Sequence, residues 1–135
     1  TARYLFGSAG TQTSALAFGG YRAPGSRDLT EEYDGTSWTA GGNLNTGRGR
    51  GGIAGSQTSA VFYGGAPPAT GATELYNGTS WAVSPATTAN NQFYGGGCGT
   101  QPAAVVFGGG SGTTFRNQTE EFTGAALTTK KITTS

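Results

Sequence analysis

Carboxylates are the most regularly spaced reactive side chains in this sequence. Glu31 and Glu32 precede a Tyr-Asp pair, Glu74 lies in a second copy of that phrase, and Glu120 and Glu121 lie in a third. Two acids held at a defined separation can hydrolyse a glycosidic bond. Catalytic residues rarely recur in every unit of a repeat, so we interpret these acids as scaffold or solvated surface residues. A glycan hydrolase is therefore the least favoured of three functional readings.

The other reactive groups also point away from catalysis. Histidine, the commonest general base and a frequent metal ligand, is absent from the sequence. Cys98 aligns with Ala9 and Ala54 in the repeat, and no cation stands near it in the sequence to favour a reactive thiolate. We expect Cys98 to be a small buried residue. We also expect no enzymatic activity, no metal site and no cofactor.

Nucleic-acid and membrane binding find little support. Residues 47–52 read Gly-Arg-Gly-Arg-Gly-Gly, like a nucleic-acid-binding RGG tract, but the net charge is only +1 and no other basic segment accompanies them. We interpret this tract as part of a Gly-rich strand and expect no nucleic-acid partner. No apolar run approaches the roughly 20 residues that span a bilayer, so we expect no membrane insertion. Asn77 and Asn117 begin glycosylation patterns that a Thr-rich chain contains by chance.

A repeated unit must position these residues. The phrase at 30–38 returns at 73–81 and, more weakly, at 119–124. Two further landmarks recur at intervals of roughly 45 residues, a Gly-Thr/Ser-Gln turn and a double glycine. The turns are Gly10-Thr11-Gln12, Gly55-Ser56-Gln57 and Gly99-Thr100-Gln101, and the double glycines are Gly19-Gly20, Gly64-Gly65 and Gly108-Gly109. We therefore divide one domain into units at 1–45, 46–88 and 89–135.

Each unit is predicted to contain four short antiparallel strands. The predicted first strands are Arg3–Ala9, Arg48–Ala54 and Gln92–Cys98, and the second strands are Ser14–Phe18, Ser59–Tyr63 and Ala103–Phe107. The third strands are Leu29–Tyr33, Thr73–Tyr76 and Gln118–Phe122, and the fourth begin near Trp38 and Trp81 and occupy Leu127–Thr134 in the last unit. The second strands are apolar on both alternating faces, which indicates that both faces are covered.

The third and fourth strands are predicted to be joined by tight turns. Asp34-Gly35 and Asn77-Gly78 are strong signals for a type I′ hairpin, in which both central residues have positive φ. One four-stranded sheet cannot bury both of its faces, so neighbouring sheets must stack. We expect Trp38 to lie between two sheets, and Trp38→Ala to cost about 3–5 kcal/mol through the cavity it leaves.

The pattern resembles the kelch repeat of β-propellers. That family has a double glycine after the second strand, an aromatic-acid pair ending the third, and a Trp in the fourth. The matching residues are Gly19, Gly20, Tyr33 and Trp38 in unit one, Gly64, Gly65, Tyr76 and Trp81 in unit two, and Gly108, Gly109 and Phe122 in a degenerate, terminal unit three. The resemblance implies an all-β, kelch-like propeller segment of three four-stranded antiparallel blades.

Three blades do not complete a propeller, which has about 4–8. We expect the ring to be completed by another chain, as in a homo-oligomer of two copies or an assembly with other subunits, or by residues missing from this chain. The Gly/Thr-rich sequence of the repeat also resembles kelch-type arrays in bacteriophage structural proteins, including tail-fibre regions. This second resemblance implies a virion or extracellular location.

The loops between the second and third strands differ most between units. In kelch-like propellers these loops and the connections between blades form a binding face. The resemblance therefore implies ligand-binding residues at Tyr21, Arg22, Arg27, Asn43, Arg48, Phe115, Arg116 and Asn117. Aromatic planes beside Arg and Asn suit a saccharide or an anionic ligand. We predict a non-enzymatic structural and recognition module that binds host-surface glycan. The alternative is a protein–protein interaction propeller that docks a partner subunit or peptide.

Overall fold

The chain folds into three four-stranded antiparallel sheets, described by a computed structural model for residues 1–124 and for the backbone of residues 127–131. In chain order the strands are β1 (Gly7–Thr11), β2 (Ser14–Phe18), β3 (Tyr21–Arg22), β4 (Gly25–Ser26), β5 (Thr30–Tyr33), β6 (Trp38–Ala40), β7 (Gly52–Ser56), β8 (Ser59–Tyr63), β9 (Ala72–Tyr76), β10 (Trp81–Thr87), β11 (Gly96–Thr100), β12 (Ala103–Phe107), β13 (Gly110–Ser111), β14 (Thr114–Phe115), β15 (Gln118–Phe122) and β16 (Leu127–Lys131). Sheet one has the order β1-β2-β5-β6, sheet two β7-β8-β9-β10 and sheet three β11-β12-β15-β16. The all-β, antiparallel prediction is confirmed.

The strand bounds agree best where the apolar pattern is strongest. All three second strands have their predicted limits, and so does the third strand of the last unit. The first strands begin four residues later than predicted, at Gly7, Gly52 and Gly96, because the residues before them leave the sheet to pair with the next loop. Residues 132–134 of the predicted last strand lie outside the described part of the chain.

The turns after the third strands differ from the predicted type I′ geometry. Gly35 has a φ of +96°, but Asp34 does not have positive φ. Instead the Asp34 carboxylate accepts the backbone N–H groups of Thr36 and Ser37 at 2.8 Å each, so the side chain closes a four-residue loop. Asn77 closes the equivalent loop of sheet two in the same way. The prediction of a two-residue turn was wrong because a side-chain acceptor replaces the second positive φ.

Neighbouring sheets pack face to face through apolar side chains. Between sheets one and two, the Phe18 ring lies 4.6 Å from that of Trp81 and 5.1 Å from that of Phe62, measured between centroids. Between sheets two and three, Tyr63 contacts Phe122 at 5.8 Å. The first strands of the sheets lie side by side, with β7 against both β1 and β11. A Cβ on Gly97 would lie 2.5 Å from the Ile53 carbonyl oxygen, so only glycine allows this approach.

The two outermost faces have no neighbouring sheet within the described chain. Trp38 lies on the outer face of sheet one and is 52% exposed, whereas Trp81 is 6% exposed. Within one chain the prediction of an inter-sheet position for Trp38 was therefore wrong, and the equivalent Trp81 is the tryptophan that lies between two sheets. Cys98 lies on the outer face of sheet three and is exposed, so its predicted burial was also wrong. In both cases the physical reason is that no sheet of the described chain covers that face, although the residue does lie on a strand.

Candidate binding face

One end of the three sheets gathers the loops that differ between units. Three isolated antiparallel bridges join the segment before each first strand to the loop after each second strand: Tyr4 to Tyr21, Gly49 to Ala66, and Phe93 to Gly110. The double glycines make this possible, since Gly19 and Gly20 have φ of +64° and +97° and turn the chain out of the sheet. We call this surface the loop face; it comprises residues 4–6, 21–28, 49–51, 66–71, 93–95 and 110–117.

Most of the predicted ligand-binding residues lie on or beside the loop face. Two of the loops form small hairpins, β3–β4 and β13–β14, which the sequence did not indicate. Tyr21 and Arg22 form β3, and Phe115, on β14, is 90% exposed. Unit two lacks such a hairpin and carries Pro67, whose carbonyl accepts the Ser26 hydroxyl at 3.1 Å. The loops of units one and two are thereby joined.

The remaining polar residues of the set are partly engaged in local contacts. The Arg27 guanidinium donates to the Arg22 carbonyl at 3.0 Å and so supports the first hairpin. Arg116 donates to the Ser111 hydroxyl at 3.4 Å within the second hairpin, and the neighbouring Asn117 is exposed. Asn43 is exposed in the connection to sheet two, where its amide lies 3.4 Å from an oxygen of Asp28. The structure does not bring the two hairpins into direct contact by any described hydrogen bond.

Arg48 belongs to the scaffold instead of the loop face. Its side chain is fully buried, forms an ion pair with Glu74, and donates from Nε to the Gly64 carbonyl at 2.8 Å. Its guanidinium also lies 4.5 Å from the centre of the Phe62 ring. A guanidinium with these partners cannot reach a ligand. The prediction that Arg48 binds a ligand was wrong because the repeat alignment gave its position along the chain but not the direction of its side chain.

Sequence reasoning missed a line of residues that crosses the loop face. Leu5, Arg50 and Tyr94 occupy equivalent positions in the three units and have φ of +58°, +63° and +62°. The Arg50 N–H donates to the Leu5 carbonyl at 3.1 Å, and the Tyr94 N–H donates to the Arg50 carbonyl. Left-handed backbone is costly for residues other than glycine and is often found at functional sites. Because none of the three is glycine, sequence carried no turn signal for them.

Two groups of aromatic side chains lie along this line, one next to Leu5 and one that includes Arg50 and Tyr94. Arg50 lies 5.3 Å from the centre of the Tyr94 ring, which in turn contacts Phe93 at 5.2 Å. Tyr4 contacts Tyr21 at 5.4 Å. Tyr4 is 54% exposed and Tyr94 is 59% exposed. We call Tyr4, Tyr21, Arg50, Phe93 and Tyr94 the aromatic cluster. The sequence does contain a signal for this cluster, since Tyr4 and Phe93 occupy equivalent positions in the repeat and Arg50 lies in the Gly-Arg tract between them.

Glu31, Glu32 and Glu120 are held by contacts within the scaffold. Arg3 donates to Glu31 at 2.6 Å, and the Thr1 ammonium donates to it at 2.8 Å; together these contacts lower the pKa of Glu31, the ammonium most. Glu32 accepts the Tyr76 hydroxyl, and burial together with that bond raises the pKa of Tyr76. Burial raises the pKa of Glu120, whose carboxylate accepts the Ala89 N–H at 3.1 Å. These contacts match a scaffold role for the carboxylates.

The fold defines an all-β protein of stacked antiparallel four-stranded sheets. Across residues 1–124 and 127–131, no three His, Cys, Asp or Glu side chains come together as metal ligands. The same residues contain no helix long and apolar enough to cross a membrane. No protein-family model and no curated protein matches the sequence. The loop face carries the candidate binding residues, and the outer faces of sheets one and three have no neighbouring sheet within the described chain.

Proposed function

We propose that this chain is a three-blade segment of a kelch-type β-propeller and acts as a non-enzymatic recognition module that binds glycan. The blade assignment is supported by the three equivalent sheets, whose faces pack on one another while β1, β7 and β11 lie side by side. Blades radiating from an axis have this arrangement, with the first strand innermost. The double glycine and the aromatic residue ending each third strand add the sequence resemblance.

The aromatic cluster is the observation that carries the binding assignment. Exposed Tyr rings offer flat apolar surfaces on which the C–H face of a sugar can stack, and each also has a hydroxyl for hydrogen bonding. Arg50, held over the Tyr94 ring, adds a planar donor that suits a carboxylate or vicinal hydroxyls. Phe115 provides a further, almost fully exposed ring on the same face. An acidic glycan is the ligand class that uses both the rings and the cation.

We propose the location of this module from the amino-acid sequence of the repeat. Its Thr-Glu-Glu-Tyr-Asp-Gly-Thr-Ser-Trp phrase is similar to that of kelch-type arrays in bacteriophage structural proteins, including tail fibres. A virion or extracellular location, with a host-surface glycan as ligand, follows from this resemblance. A recognition face on a rigid β scaffold fits such a role, since loops carry binding while the sheets hold them in place.

A glycan array probed with the whole chain tests this proposal. We expect binding to one or more acidic glycans, and a loss of about tenfold or more in affinity for Tyr94→Ala and for Arg50→Ala. Val83→Ala removes an exposed apolar side chain on β10 and is the matched control. Binding that is unchanged in both cluster variants would contradict the proposal. Capture of a virion protein that depends on the cluster, without glycan binding, would favour the protein-docking alternative.

A further inference from the structure

The two outer sheet faces carry the two halves of a contact surface that the chain already uses internally. The front face is the outer side of sheet one, with Ala15, Ala17, Tyr33 and Trp38. The back face is the outer side of sheet three, with Cys98, Val105, Phe107 and Thr119. By repeat position, the front face corresponds to the side of sheet two that packs on sheet one, and the back face to the side of sheet one that packs on sheet two.

The tryptophan contact shows the correspondence best. Inside the chain, Trp81 packs on Phe18 at 4.6 Å, and its indole N–H donates to the Thr30 hydroxyl at 2.9 Å. The equivalents are Trp38 on the front face, and Phe107 and Thr119 on the back face. Trp38 is 52% exposed and Phe107 is 41% exposed. Both partners of the internal contact are thus present on the outer faces, but each stands without the other.

A glutamine contact repeats the same relation. The Gln57 amide donates to the carbonyls of Ala15 and Tyr33 at 3.1 and 2.7 Å, and so ties sheet two to sheet one. Gln101 of sheet three donates to the equivalent carbonyls, Ala60 and Tyr76, at 2.7 and 2.6 Å. The third member of this series is Gln12, which is exposed beside the front face. Its equivalent acceptors would be the carbonyls of Ala104 and Phe122, beside the back face.

A third polar contact has the same complementarity. Inside the chain the Tyr76 hydroxyl donates to the Glu32 carboxylate across the interface. The equivalent residues are Tyr33 on the front face and Glu121 on the strand that borders the back face. The aromatic, amide and hydroxyl donors of the front face therefore each have an acceptor or packing partner on the back face. An unrelated partner would have no reason to match this series.

We propose that the front face of one copy of this chain packs on the back face of a second copy, head to tail. Trp38 then packs on Phe107 of the second copy, and Gln12 donates to its Ala104 and Phe122 carbonyls. The stoichiometry rests on the proposed propeller arrangement: among multiples of three, only six blades fall within the usual range of about 4–8. Two copies joined at two such junctions therefore close the ring, and both outer faces are covered.

Sedimentation velocity on the whole chain tests this junction. We expect a species of twice the 13.5 kDa chain mass, dissociating on dilution. Trp38→Ala and Phe107→Ala, on opposite faces, are each expected to weaken association roughly 30-fold, as for a central interfacial aromatic residue. Gln12→Ala, which alters only an exposed side chain, should weaken it roughly 2- to 10-fold. Val83→Ala is the control and should associate like the parent chain.

Mixing the two aromatic variants distinguishes this junction from a symmetric one. A pair made of Trp38→Ala and Phe107→Ala chains has one intact junction, so the mixture should associate more tightly than either variant alone. If equivalent faces met each other instead, only one of the variants would be impaired and mixing would not help. A parent chain that stays monomeric up to its solubility limit, or variants with unchanged association, would overturn the proposal. Near-UV circular dichroism confirms folding, and glycan binding is scored separately, so each proposal can fail alone.

Discussion

Trp38 and Trp81 hold the same place in the repeat but differ in surroundings. Each is the first residue of the fourth strand of its sheet, directly after the turn. Each packs on the aromatic residue that ends the third strand, with ring centroids 5.1 Å apart for Tyr33–Trp38 and 5.0 Å apart for Tyr76–Trp81. Within the part of the chain that the structure describes, only Trp81 has a neighbouring sheet against its other side. The difference shows that the repeat phrase builds each sheet, while the neighbouring sheet decides how much each side chain contributes to stability.

The first glutamate of the repeated motif, which is Glu31, Glu74 or Glu120, has different partners in the three sheets. Glu74 is buried with Arg48, and Glu31 is partly exposed with Arg3. In sheet three the position of the arginine is taken by Gln92, whose buried amide atoms have no hydrogen-bond partner among the described residues. The described part of the chain thus pairs this acid with a cation in two sheets and leaves it with a backbone donor in the third. Identical sequence positions therefore carry different electrostatic costs.

The largest effect is expected for Trp81→Ala. Loss of the buried indole leaves a cavity and removes the hydrogen bond to Thr30, so the free energy of unfolding should fall by about 5 kcal/mol. Trp38→Ala, measured where the chain is monomeric, should cost less than about 1 kcal/mol because its outer side already faces water. Urea unfolding followed by fluorescence measures both. Equal costs for the two variants would contradict the comparison.

A smaller effect is expected for Arg48→Met. Removal of the guanidinium leaves the Glu74 carboxylate buried without its cation, which typically costs 3–5 kcal/mol. We expect about 3 kcal/mol, because Asn45 still donates two hydrogen bonds of 2.8 Å to that carboxylate. Arg3→Met should cost only about 1 kcal/mol, since Glu31 is partly hydrated. Calorimetric unfolding measures both costs, and a larger loss of stability for Arg3→Met than for Arg48→Met would contradict this account.

The glutamine ties should each contribute less. Gln57→Ala and Gln101→Ala each remove two hydrogen bonds to backbone carbonyls, and we expect a loss of about 1–2 kcal/mol per variant. Gln12→Ala should leave the stability of the single chain unchanged, because its side chain is exposed and makes no hydrogen bond to the described residues. Chemical unfolding at a concentration that prevents association makes this measurement. A loss for Gln12→Ala as large as for Gln57→Ala would show that the front face is not open.

The smallest effect concerns pH and has opposite signs in two sheets. The pKa of Glu120 is raised in the folded state, so its contribution to stability is present below the unfolded value, about 4.5, and is lost as the pH rises through the folded value. The pKa of Glu31 is lowered, so its contribution is present above about 4.5 and is lost as the pH falls through the folded value. Between pH 4 and pH 7 the free energy of unfolding of Glu120→Gln should therefore rise relative to that of the parent chain. Over the same interval that of Glu31→Gln should fall relative to the parent chain. Unfolding curves at both pH values would contradict this if the two variants changed in the same direction.

Sequence predicted the sheets well because the second strands carry an unambiguous apolar pattern. Ser14–Phe18, Ser59–Tyr63 and Ala103–Phe107 have their predicted bounds. The hairpins at Tyr21–Ser26 and 110–115 were missed because strands of two residues have no periodicity to detect. Trp38 was misplaced because a repeat makes positions equivalent without stating which unit lacks a neighbour.

The candidate site was harder to predict than the fold. Tyr21 and Phe115 were placed on the loop face by their variable loops, and they do lie there. Arg48 was wrongly included, because its ion pair with Glu74 depends on two strands meeting in space. Arg50 and Tyr94 were missed, since their left-handed backbone is imposed by hydrogen bonds between units and leaves no mark in the residue types.

The ladder through Leu5, Arg50 and Tyr94 separates shape from chemistry at this surface. Backbone hydrogen bonds join the three units there, and an aliphatic, a cationic and an aromatic residue all occupy the same conformation. Substitution at these positions can therefore change which ligand is recognised while the sheets remain intact. The protein therefore has three equivalent surface positions with one backbone conformation, an arrangement that suits selection or laboratory design of new binding specificities.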